Sequence, residues 1–265
     1  QQSAAGARSG QYVTRIMAYA GEPFARVYHT FVLTEDSRKV RYRDIALGLD
    51  APGVKTVSLG VAGGKTVESA SGVSLVQDQW DHFFVRGAAK AEGKRAAGWV
   101  SARGDQTAVT VTVQDFWQNY PKELEVADGR VIAHLWPAHN APRRHEAKDI
   151  NAHNVHMLFF AHEGEELDFQ MPKEFAAKFT KQAKPEFYYI PPAVDNANAM
   201  GIAKTHEMMW HFHKAGESPA AVSKAFAEGV FCMAAPEWMC AAQTFRVEPM
   251  QPADAKAFPD KEWAI

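Results

Sequence analysis

Two cysteines in 265 residues, Cys232 and Cys240, are too few for a disulfide framework and wrongly spaced for a zinc knuckle. They read as small buried residues near a helix. No run approaches about 18 uninterrupted apolar residues, which excludes a membrane-spanning helix. Neither sign of charge is in excess: 29 Lys+Arg against 31 Asp+Glu leave a net charge of -2. With no long basic run either, nothing points to nucleic acid or to an anionic membrane as partner. An initiator Met and a charged-then-apolar leader are also missing. The chain therefore reads as an excised domain or processed piece of a longer protein, with residues 1–10 a disordered lead-in and the localisation unknown.

What is present is period-two alternation. Apolar residues make up 46% of the chain, enough for one large core. FARVYHTFVLT, from Phe24 to Thr34, puts Ala25, Val27, His29, Phe31 and Leu33 on one face and Arg26, Tyr28 and Thr30 on the other. Tyr12–Tyr19 precedes it across a Gly21-Glu22-Pro23 turn, predicting a hairpin. Strands follow at 44–49, 56–61 and 107–118. Leu124–Ala127 and Arg130–Trp136 are hairpin arms across Asp128-Gly129. Asn151–His162 and Ala203–His213 complete the set. Helix signals are few: two turns near Pro172, and a helix from the Ser218-Pro219 cap to Gly229. The fold class is all-β, a large antiparallel β-sandwich with a few short helices. It should occupy residues 11–235, with a Pro-rich C-terminal extension over 236–265.

Three segments could carry chemistry. In KTHEMMWHF, alternation places Lys204 and His206 side by side on one strand face, about 7 Å apart at the usual rise. Taken alone, the pair reads as a snorkelling lysine beside a hydrogen-bonded core histidine; a strand end gripping a polar substrate is the alternative. Glu207 points the other way. His206 and His211 are five apart, wrong for a helical zinc-protease motif, and His211 with His213 offers only two ligands, so no metal site is predicted. DFWQNYPK sets Trp117 and Tyr120 beside Gln118, Asn119 and Lys122. An aromatic face for the C–H side of a sugar ring, with amides and an ammonium for hydroxyls and carboxylates, is what carbohydrate binding needs; a plain strand end fits equally well. The long polar loop Pro137–Asp149 carries Arg143 and Arg144, suited to an acidic sugar.

Taken together, RIMAYAGEPFARVYHTFVLT, QDFWQNYPKELEV, HLWP and GIAKTHEMMWHF resemble the rhamnogalacturonan exolyase family of polysaccharide lyases, specifically its central β-sandwich domain. The resemblance runs from about Gln11 to Ile265 and implies a supersandwich of the galactose-mutarotase-like type. In that family the domain lies between an N-terminal barrel and a C-terminal α/α toroid, both lacking here, so little or no activity is expected from this piece alone. The implied chemistry is β-elimination on a uronate. A base takes the proton α to the carboxylate, a cation or donor stabilises the charge that develops, and an acid protonates the departing oxygen. The resemblance makes His206 and Lys204 catalytic candidates, and Trp117, Gln118, Tyr120, Lys122, Arg26, Tyr28 and Glu207 candidates for substrate binding. His29 reads as a buried structural histidine. No cofactor is predicted; calcium is compatible with the chemistry but no residue pattern calls for it. The expected partners are an acidic polysaccharide and the remaining domains of the parent chain, and an extracellular or periplasmic setting follows from the resemblance alone. The alternative is a non-catalytic carbohydrate-binding module, which would keep the aromatic platform of Trp117 and Tyr120 but bury His206 or leave it without a cationic neighbour. A mutarotase-like epimerase is a third reading, disfavoured because His206 and Glu207, as neighbours on a strand, point apart.

Overall fold

The structure, a computed structural model, describes residues 9–137, 167 and 198–229. The expected strand Asn151–His162, the turns near Pro172, Arg143, Arg144, both cysteines and the C-terminal extension lie outside the described residues.

Thirteen strands are described: β1 Gln11–Ala18, β2 Phe24–Val32, β3 Ile45–Asp50, β4 Thr56–Gly60, β5 Thr66–Ser69, β6 Val73–Gln79, β7 His82–Arg86, β8 Glu92–Gly93, β9 Trp99–Arg103, β10 Thr107–Val113, β11 Lys122–Ala127, β12 Arg130–Trp136 and β13 Ala203–Lys214. They form a seven-stranded sheet in the order β1-β2-β13-β10-β9-β4-β5 and a six-stranded sheet in the order β3-β12-β11-β6-β7-β8. Every pairing is antiparallel. This is the β-sandwich expected from the alternation. The β1–β2 hairpin forms with Ala18 opposite Ala25. Asp128 and Gly129 take the positive φ values, 51° and 69°, that a two-residue turn between β11 and β12 requires.

Between the sheets, Val27, Met208, Val111, Val100 and Leu59 face Leu75, Leu124, Val126, Val131 and Ala133 in one apolar core. The opposite face of the seven-stranded sheet is also covered. Ser101, Thr110, Thr112, His211 and His213 are buried there, beneath helix α1 (Ala220–Glu228). Thr112 Oγ1 donates to Ser223 Oγ at 2.9 Å, and His213 Nε2 lies 2.8 Å from Thr110 Oγ1. The helix starts where Ser218 Oγ accepts from Ala220 N, and Gly229 follows it with φ 62°.

The structure differs from the sequence reading at the end of one strand and in five strands, β5 to β9, that the reading left out. β10 stops at Val113 rather than Gln118, because Asp115 takes φ 52° and turns the chain. β6 went unread because all seven of its residues are buried, leaving no polar alternation to detect.

Candidate functional site

The segment 114–121 leaves β10 in one sheet and enters β11 in the other, crossing the end of the sandwich where β13 begins. Its backbone is fixed at several points. Gln114 N donates to Glu207 O at 3.0 Å, and Asn119 N donates to Asp115 O at 2.9 Å. Phe116 is buried against Gly98, whose φ is 72°; a Cβ there would stand 2.4 Å from Phe116 Cβ, so only glycine lets the loop pack this closely.

Lys122, the first residue of β11, points inward and is buried. Its Nζ donates to Leu135 O at 2.8 Å, to Pro121 O at 3.0 Å and to Asn119 O. An ammonium has three protons, so none is left for a ligand. Burial, and then the nearby charge of Lys204, pull its pKa down to about 7. Lys122 thus ties the crossing loop to β12.

Lys204 and His206 sit on the inner face of β13, opposite Phe31 and His29 of β2. Of this pair, Lys204 reaches solvent and His206 does not. Lys204 Nζ donates to Asn119 Oδ1 at 2.8 Å. His206 is 4% exposed and stacks on Phe31 at 6.0 Å, and its Nδ1 has no hydrogen-bond partner among the described residues. Burial, reinforced by the charges of Lys122 and Lys204, holds its pKa down to about 2. An imidazole so reluctant to protonate is a poor proton acceptor at neutral pH, where a general base works best with a pKa near the ambient value. His29 is buried, as expected, and burial lowers its pKa as well; its Nδ1 lies 2.8 Å from Thr14 Oγ1.

Arg26, Tyr28 and Glu207 lie on the opposite face of the same sheet and cannot share a pocket with Lys204. They satisfy one another. Arg26 Nε donates to Glu207 Oε1 at 2.9 Å, Nη2 donates to the same oxygen, and the guanidinium stands 5.6 Å from the Tyr28 ring centre. Burial and then the Glu207 charge raise the Tyr28 pKa.

The remaining candidates belong to the crossing loop. Gln118 is exposed. Tyr120 is half-buried, and burial followed by the Asp81 charge raises its pKa. Trp117 is covered on one side by Arg95, 4.2 Å from its ring centre; the same guanidinium stands 5.9 Å from Trp80. Sequence reasoning missed Arg95 and Trp80, which belong to no motif. A cavity of about 290 Å³ opens between β1–β2 and β3, lined by Tyr12, His29, Phe31 and Tyr42 among others, and holds none of the sequence candidates.

A separate cluster occupies the outer face of the six-stranded sheet, where ligand atoms of Glu123, Glu125 and His134 lie within 4.8 Å of one another. His134 Nδ1 is 3.0 Å from Asp44 and Nε2 is 3.0 Å from Glu125, while Arg86 Nη2 donates to Glu123 at 2.7 Å. Burial lowers the His134 pKa, but Asp44, Glu123 and Glu125 together raise it by more. His134 and Arg86 already hold hydrogen-bond contacts to Asp44, Glu125 and Glu123.

Residues 74–227, which contain the crossing loop, β13 and all but the last residue of α1, match the PcRGLX-like protein central beta sandwich domain. The chain belongs to this family. It is thus the central β-sandwich domain of a rhamnogalacturonan lyase-like protein. No curated protein matches the chain. The matched range begins at β6, yet β1, β2, β4 and β5 complete the seven-stranded sheet of this PcRGLX-like domain from outside it.

Proposed function

We propose that this domain binds uronate-containing, rhamnogalacturonan-like polysaccharide for a lyase that cleaves by β-elimination, and that it supplies substrate contacts rather than the base. Lys204 is the cation offered to the substrate, and Asn119, Gln118 and Trp117 are the amide and aromatic contacts beside it. One observation carries this reading: two positions apart on β13, the ammonium is exposed against Asn119 while the imidazole is sealed in, uncharged, against Phe31. Proton abstraction then falls to a group other than His206. The remaining domains of the parent chain are the partners with which the domain would complete a cleft.

Affinity electrophoresis of the 265-residue chain in gels containing rhamnogalacturonan tests the binding. Retardation by the polysaccharide is expected, weakened about 10-fold by Lys204→Met, the effect of losing one charge-assisted contact. Ultraviolet absorbance of the same mixture reports the unsaturated uronate that elimination creates, and it should stay flat. Absence of retardation would overturn the binding role. An absorbance rise abolished by His206→Gln would return that histidine to catalysis.

A further inference from the structure

The Trp80–Arg95–Trp117 cluster stands apart from Lys204 in origin, since its three side chains come from three separate segments, yet one buried side chain organises two of them. Gln77 is fully buried. Its Oε1 accepts from Ala96 N at 2.9 Å and its Nε2 donates to Lys94 O at 2.9 Å, so the residues on both sides of Arg95 are pinned. The second proton of the same Nε2 is donated to Gln79 O at 2.7 Å, with His82 O sharing it at 3.1 Å, which pins both sides of the turn carrying Trp80. Trp117 is held by its neighbour Phe116, locked against Gly98. The guanidinium lies 4.2 Å from the Trp117 ring centre and 5.9 Å from that of Trp80, and Trp80 is 38% exposed.

Among the described residues Arg95 has neither a hydrogen-bond nor an ion-pair partner, although carboxylates are close in sequence. Asp78 and Glu92 are instead engaged by His82, at 2.5 and 2.9 Å. A guanidinium whose face is taken by an indole keeps its in-plane N–H edges for an acceptor, and the planar acceptor that matches two parallel N–H groups is a carboxylate. The exposed indole beside it offers a flat apolar surface of the kind that covers the C–H face of a pyranose. A carboxylate fixed to a pyranose ring is a uronic acid.

We infer that Trp80, Arg95 and Trp117 form a uronate-recognition site, in which Arg95 pairs with the sugar carboxylate and Trp80 takes the ring face. This rests on the binding reading above and assigns the charge discrimination to a residue of its own. The test compares rhamnogalacturonan oligosaccharides with the same oligosaccharides after carboxyl reduction to hydroxymethyl groups, titrated calorimetrically into the 265-residue chain. The native chain should prefer the acidic ligand about 10- to 100-fold, the range for a charge-assisted pair. Arg95→Gln should cut that preference about 10-fold, down to what Lys204 contributes, while leaving the reduced ligand's affinity unchanged. Arg95→Lys should restore part of it, because a point charge cannot bind bidentately or stack. Trp80→Ala should weaken both ligands alike. An undiminished preference in Arg95→Gln overturns this inference and leaves the binding reading standing. If the native chain binds neither ligand, both fail together. Should Arg95→Gln not fold, equal affinity of the native chain for the two ligands overturns the inference by itself.

Discussion

Lys122 allows the energetics of the crossing loop to be measured. Folding moves its ammonium from water to a site where burial and Lys204 lower the pKa from 10.5 to about 7. Between those values the unfolded chain holds a proton that the folded chain has lost. Unfolding therefore takes up a proton, and stability must rise with pH through this window, by up to about 1.4 kcal/mol per pH unit in its middle. From pH 7.5 to 9.5 the contribution is about 2–3 kcal/mol, and over the full window about 5 kcal/mol. Other groups titrate in the same range, so the quantity to follow is the difference between the native chain and Lys122→Met, which has no proton to exchange. Methionine also leaves the Asn119, Pro121 and Leu135 carbonyls without their shared donor, a further loss of about 1–3 kcal/mol at any pH. Urea unfolding at pH 7.5, 8.5 and 9.5 gives both terms: a constant offset and a gap that widens with pH. Parallel stability curves for the two proteins would show that Lys122 keeps an ordinary proton affinity when folded, and would refute the account of its burial.

Three further outcomes follow from the same physics. His206 imidazole resonances should not titrate between pH 5 and 8; because its folded pKa lies below the unfolded one, stability should fall as pH drops below about 6.5, and His206→Phe should flatten that acid limb in urea unfolding. His134 has the opposite sign: its raised pKa makes its contribution complete below about 6.5 and lost as pH rises through the folded value, so the deficit of His134→Gln should be larger at pH 5.5 than at pH 9. Gly98→Ala meets Phe116 at 2.4 Å with φ at 72° and should cost about 2–4 kcal/mol in thermal or urea unfolding; a cost under about 0.5 kcal/mol would mean the loop is not packed as described.

The alternation that revealed β2, β12 and β13 also sorted their side chains correctly, since pleating alone decides that Lys204 and His206 share a face and Glu207 does not. Depth is not written in that pattern. His206 is sealed because β2 brings Phe31 and His29 alongside it and because Lys122 arrives from the other sheet, both consequences of tertiary pairing. Lys122 looked available because its three acceptors are backbone carbonyls, which no side-chain pattern advertises. Arg95 could not be found at all, since Gln77, eighteen positions upstream, sets where it stands. The hydroxyl-rich face of β10 would read as solvated, but Ser223 of α1 and His213 of β13 take its Thr112 and Thr110 hydroxyls.

The place of β13 governs how this protein can be assembled. It is the last strand described, yet it lies third in its sheet, between β2 and β10. Until residue 203 has left the ribosome, the β1–β2 hairpin has no partner on its inner side and β10 ends in an open row of backbone donors and acceptors. Both rims would be sticky in that interval, and their closure requires contacts spanning more than a hundred and eighty residues in the case of Arg26 and Glu207. A chain shortened ahead of that strand would not yield a smaller sandwich; it would yield two fragments of a sheet with matching unsatisfied borders.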